Sequence, residues 1–131
     1  MIGLDTNVLL RVLVDDGSPD VAKARNFLAA RAKEGRDFHV DTVVLVETVW
    51  VLETVFGYGR TDIGAAIDAI LGNAAYVVDG HETVAAALAQ YRNGKADFSD
   101  CLIVARNAAA GCIGTASLDK AMRPLPGVIA L

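Results

Sequence analysis

Residues 38–56 read FHVDTVVLVETVWVLETVF, and this stretch decides the fold. Phe38 to Val40 is a brief apolar run that reads as a strand, and Thr42 opens a long helix to about Phe56. The same strand-then-helix pattern extends in both directions. Upstream, Ile2 to Leu4 is a short apolar run ending at Asp5, and the apolar-rich segment Val8 to Val14 stops at the Asp15-Asp16-Gly17 turn signal. Pro19 follows Ser18 at a favoured first-turn position, and Val21, Ala24, Phe27 and Leu28 keep helical spacing up to Gly35. Downstream, the Gly57-Tyr58-Gly59 break precedes a helix from Thr61 to about Leu71, then a strand from Ala75 to Val78. An Ala-rich helix from Glu82 to about Tyr91 and another from Phe98 to Ala110, closed by Gly111, come next. A strand from Ile113 to Ala116, a short helix near Leu118 to Met122 and a last strand, Val128 to Ala130, complete the reading. Short apolar strands separated by helices imply an α/β chain with a mostly parallel central sheet covered on both faces, a three-layer α/β/α domain. Ligands of such sheets collect beyond the carboxyl ends of the strands.

Composition sets the scale. The chain has 131 residues, 53% hydrophobic and 21% charged, which is enough to close one core and too little for two, so residues 1–131 read as a single domain. A mean hydropathy of +0.39 and the lack of low-complexity tracts exclude a disordered chain. The longest apolar stretch, Thr42 to Phe56, is interrupted by Glu47 and Glu53 and falls short of the ~20 residues of a membrane span. No membrane partner is expected. The opening MIGLDTNVLLRVLV carries Asp5 and Arg11 and no basic leader, so a cytoplasmic protein is expected. A net charge of -4 argues against a general nucleic-acid coat protein. Residues 20–40 nevertheless hold Lys23, Arg25, Arg31, Lys33 and Arg36 against Asp20, Glu34 and Asp37, either a solvated helix surface or a locally basic face for a polyanion. Cys101 and Cys112 form no CxxC pair and are expected to be buried free thiols.

Several acids are harder to assign to a core. Glu47 sits in a helix that is apolar almost all the way round, so it is expected to point into a polar pocket, with an ion pair to an Arg as the alternative. Glu53, roughly 240° further round, reads as a rim charge. Asp5 closes the first strand and Thr6 and Asn7 follow it, where helix capping is the competing explanation. Asp97 and Asp100, three apart at a helix start, share nearly one face and repel; Asp97 is also placed to cap. Asp119 follows the Ile113 to Ala116 strand, again at a carboxyl end, with capping of the short last helix as the competing explanation. Two unit charges about 5 Å apart repel by about 3 kcal/mol at an effective dielectric of ~20, and several such pairs are more than a marginally stable domain carries uncompensated. A cation is therefore expected among them. Oxygen ligands favour Mg²⁺ or Mn²⁺ over Zn²⁺, and His39 and His81 show no ligand spacing.

The chain offers no Ser-His-Asp or Cys-His arrangement and no GxxxxGK[ST] loop, which leaves metal-activated water acting on a phosphodiester. Asp5, Glu47, Asp97, Asp100 and Asp119 would supply the ion cage, with Thr6, Asn7 and Ser117 holding ligands or waters in place behind it.

Taken together, Asp5-Thr6-Asn7 after an N-terminal strand, Glu47 within LVETVWVL, the ADFSDCLIVA run with Asp97 and Asp100, and Ser117-Leu118-Asp119 after the fourth strand resemble the PIN-domain ribonucleases. More narrowly they resemble the VapC toxins of type II toxin-antitoxin modules. The resemblance spans essentially the whole chain, and Ser117 stands where many members have Thr. It implies a PIN-like fold and a Mg²⁺- or Mn²⁺-dependent endoribonuclease that cuts structured cellular RNA, often tRNA or ribosomal RNA. It also implies a homodimer and a VapB-like antitoxin that occludes the acidic pocket. By the same resemblance Asp5, Glu47, Asp100 and Asp119 match the family's acidic quartet and Asp97 an additional acid. The apolar helix around Trp50 suits an antitoxin or dimer surface, and equally a core helix.

Two other readings compete. A receiver or haloacid-dehalogenase domain also places acids at strand ends, but Asp5-Thr6-Asn7 lacks the second Asp of a DxD motif and Val78-Asp79-Gly80 offers a phosphoacceptor only weakly. A non-catalytic PIN-like module that binds RNA or protein would not need all four acids.

Overall fold

A computed structural model describes residues 1–131, which fall into two compact units, Met1–Asp79 and Gly80–Leu131. In the first unit the order is β1 (Ile2–Gly3), α1 (Thr6–Leu13), α2 (Pro19–Lys33), β2 (Phe38–Val40), α3 (Thr42–Thr54), α4 (Arg60–Gly72) and β3 (Tyr76–Val78). The strands lie in the order β1-β2-β3 and both pairings are parallel, so each return must cross over through helices, here a pair each time. Phe38 faces Ile2 on one side and Tyr76 on the other, and His39 faces Gly3 and Val77. Backbone bonds carry the register past the strand ends, with Leu4 N–H on His39 O at 3.0 Å and Asp79 N–H on Val40 O at 3.0 Å.

This sheet and its helices enclose a core of Leu9, Phe38, Val40, Leu45, Leu52, Ile63, Ile67 and Ile70, each 1% exposed or less. In α4, Ile63, Ile67 and Ile70 recur every three or four residues, the spacing that turns one helix stripe inward. Full burial of each such side chain contributes about 1.5–3 kcal/mol. α1 ends at Leu13, where Arg25 of α2 donates to the carbonyls of Arg11 and Val12, two of the acceptors a helix end leaves unpaired.

The second unit runs α5 (His81–Asn93), α6 (Phe98–Ala109), β4 (Thr115–Ser117), a one-turn 3-10 helix (Lys120–Met122) and β5 (Val128–Ala130). Tyr91 at the end of α5 meets Phe98 at the start of α6 edge to face, with ring centroids 5.9 Å apart. β4 and β5 pair in parallel, Thr115 opposite Val128 and Ser117 opposite Ala130. Their approach is close at Gly114, where a Cβ would lie 2.6 Å from the carbonyl oxygen of Gly127.

Parallel strands joined by helices agree with the three-layer α/β/α class read from the sequence. Two local expectations are corrected. The fourth strand begins at Thr115 and not at Ile113, whose side chain is fully exposed. Cys112 is exposed as well, and only Cys101 is buried. Both corrections have one cause: Gly111, at φ 91°, ends α6 by turning the chain outward before the strand starts. No helix is long and apolar enough to cross a membrane.

Candidate functional site

In the first unit the expected residues gather where β1 ends. Asp5 occupies the N-cap position of α1, and its carbonyl accepts from the N–H groups of Val8 and Leu9. Its carboxylate makes no capping hydrogen bond and is exposed, so capping does not explain why an acid stands here. The next residue, Thr6, is 8% exposed, and its hydroxyl donates to Glu47 Oε1 at 3.1 Å. That bond spans 41 residues and brings the α3 carboxylate to the strand end.

Glu47 is exposed, which corrects the expectation that it points into a pocket. The reason lies in α3: Leu45, Thr48, Val49 and Leu52 form its buried stripe and turn Glu47 away from it. Asn7 is exposed and belongs to the wall of a groove described below. Asp41 and Asp79, acids at neighbouring strand ends, have local partners: Asp41 caps α3 through Val43 N–H, and Asp79 accepts from the Thr42 hydroxyl. Asp79 is thereby engaged with a neighbouring side chain, not presented as a phosphoacceptor.

In the second unit Asp97, Asp100 and Asp119 interact. Asp97 is the N-cap residue of α6 and makes no side-chain capping bond, so that alternative fails for it too. Asp100 lies one turn inside. Burial raises its carboxyl above the ordinary value of 3.8, and the charges of Asp97 and Asp119 raise it further. Asp119 reaches this position from the far end of β4. Its Oδ1 accepts from Ala121 N–H at 2.9 Å, and its own N–H donates to Ser117 Oγ at 3.0 Å. Ser117 in turn donates to the sulfur of the buried Met122. The serine thus holds the Asp119 backbone, and the capping bond occupies one Asp119 carboxylate oxygen.

None of the ion pairs Arg11–Asp16, Arg25–Asp15 and Arg31–Glu34 uses these acids. In the second unit the carboxylates that repel one another are oxygen donors of the kind a hard divalent cation takes. No three His, Cys, Asp or Glu side chains are drawn tightly enough together to form a ready-made metal cage.

The groove was not foreseen from the sequence. Its signal was present in α2, where Asp20, Lys23, Ala24 and Phe27 recur at helical spacing and line one wall. Among curated proteins there is no match. The PIN domain family model matches residues 2–126.

Proposed function

The chain belongs to the PIN domain family, whose members are in general metal-dependent nucleases, and from that premise we propose a finer reading. The protein is a Mg²⁺- or Mn²⁺-dependent endoribonuclease, the toxin of a type II toxin-antitoxin pair, and residues 1–131 work as one cytoplasmic PIN-like domain. Its substrate is tRNA or ribosomal RNA. The observation that carries the reading is that Asp97, Asp100 and Asp119 stand close enough to repel one another, a repulsion that a bound cation relieves.

In this reading Asp5, Glu47, Asp97, Asp100 and Asp119 hold the metal. When bound, the ion supplies a water of lowered pKa and neutralises the charge growing on the leaving oxygen. The chain's own groups do the positioning. Thr6 fixes Glu47 Oε1 and leaves Oε2 to the site. Ser117 orients Asp119 through its backbone N–H, and Asn7 stands two residues beyond Asp5 at the entrance. Hydrolysis joins the water oxygen to phosphorus, breaks one phosphorus–oxygen ester bond and returns a proton to the departing oxygen.

The outer face of α3 supports the partner reading. Val43, Glu47 and Trp50 lie on one side of that helix, and Val43 and Trp50 are each 64% exposed. A homodimer partner or a VapB-like antitoxin that covers Trp50 thereby comes within a helical turn of Glu47, which accounts for occlusion of the site.

Incubation of the purified protein with total RNA tests the reading. Cleavage that needs Mn²⁺ and disappears in Asp5→Asn and in Asp100→Asn is expected. A folded wild type that leaves RNA intact with Mn²⁺ overturns it in favour of a non-catalytic RNA- or protein-binding module. Mapping new 5′ ends after brief induction in cells then identifies the RNA.

A further inference from the structure

The groove between α1 and α2 has no part in the reading above. It encloses about 350 Å³, within the range of ligand sites. One wall is Asn7, Val8 and Arg11 of the helix that Asp5 starts; the other includes Asp20, Lys23 and Phe27. From Asp5 to Arg11 the helix advances about 9 Å, and the groove wall starts at Asn7, two residues after Asp5.

Charge argues for the occupant. In a chain of net charge -4, α2 carries Lys23, Arg25, Arg31 and Lys33 against one acid, Asp20. The arginines have internal engagements: Arg25 on the end of α1, Arg31 on Glu34, and Arg11 on Asp16. Lys23 joins none of these pairs and lines the groove. One turn further along α2, Phe27 keeps 42% exposure, and the Arg31 guanidinium lies 5.4 Å from its ring centroid. An exposed aromatic ring braced by a cation, one turn from an uncommitted lysine, is the combination that binds single-stranded nucleic acid: the ring stacks a base and the lysine meets the backbone. Asp16 pairs with Arg11, which leaves Lys23 as the groove cation outside the ion pairs and places the phosphate there.

We infer that this groove is a subsite for the single-stranded RNA flanking the cleaved bond, with a base on Phe27 and a phosphate on Lys23. The inference rests on the nuclease reading and extends it to substrate positioning.

Binding of a short fluorescein-labelled oligoribonucleotide of mixed sequence to the Asp5→Asn protein, followed by anisotropy, tests it. Phe27→Ala is expected to weaken binding about tenfold and Phe27→Tyr to restore it. Lys23→Ala is expected to weaken binding about threefold to tenfold and to lower the log–log salt slope by about 0.7. Lys33→Ala, outside the groove, changes affinity by less than about twofold. In the cleaving parent, Phe27→Ala and Lys23→Ala raise KM with little effect on kcat. Both side chains reach solvent, and thermal unfolding of each variant checks folding. Cleavage with unchanged affinity and KM in both variants overturns the subsite and leaves the nuclease reading standing; a groove built for a protein partner gives that result. A wild type that neither binds nor cuts RNA with Mn²⁺ overturns the nuclease reading, and the subsite with it.

Discussion

Asp100 holds its proton more tightly in the folded protein than in the unfolded chain, because burial and two neighbouring carboxylates raise its carboxyl. The sign follows directly. In metal-free solution its contribution to stability is fully present below the ordinary value of 3.8 and is lost as pH rises through the raised value. Asp100→Asn removes that loss. At about pH 7 in EDTA the variant is expected to melt above wild type. The gap closes as pH falls toward about 4, and a gap that is constant with pH refutes the electrostatic account. Thr6 is a second residue with a distinct outcome. Thr6→Val keeps the shape and removes the bond to Glu47, with an expected cost of about 1 kcal/mol in urea unfolding. A loss in kcat of roughly 10-fold or more should accompany it. Asp5, Asp97 and Asp119 were legible in the sequence because each follows a recognisable strand or opens a recognisable helix. The Thr6–Glu47 bond was not, since it joins positions 41 residues apart.

At the scale of elements, helices were read well where their apolar residues repeat on one side. α5, with Val84, Ala87, Leu88 and Tyr91 buried, is such a case. α3 was not fully legible, because apolar residues surround it while only one stripe is buried. The sequence does not distinguish Val49, 3% exposed, from Trp50, 64% exposed. β4 was placed two residues early for a related reason: Ile113 has strand-like chemistry, but the strand position is set by Gly114 against Gly127, a contact with a distant segment. Gly114→Ala tests that contact. Its new methyl would meet the Gly127 carbonyl oxygen at 2.6 Å, where backbone cannot yield cheaply, and the Ile129 side chain at 2.9 Å, whose end can shift. A loss of about 1–3 kcal/mol in chemical denaturation is expected, with a fall in activity as the strand leading to Asp119 shifts. Full activity and unchanged stability would show that β4 and β5 do not pack this closely.

For the whole molecule, the proposed metal-dependent reading makes a divalent ion a folding ligand as well as a catalyst. If the acids bind Mn²⁺, a concentration one hundred times Kd adds about 2.7 kcal/mol to stability, and excess EDTA reverses the gain. Differential scanning calorimetry with and without Mn²⁺ measures this directly. An unchanged melting temperature at saturating Mn²⁺ contradicts binding to the folded state. Asp5→Asn and Asp100→Asn should each diminish the gain.

The contrast between the two thiols has a practical use. Cys112 lies open to solvent, whereas Cys101, next to Asp100 in α6, is 2% exposed. Ellman's reagent should therefore titrate one equivalent promptly and the second only when α6 breathes or melts. The lag between the two colour changes becomes a stopwatch for the helix that bears the acids, and its lengthening on addition of manganese would report ion capture without any RNA in the cuvette.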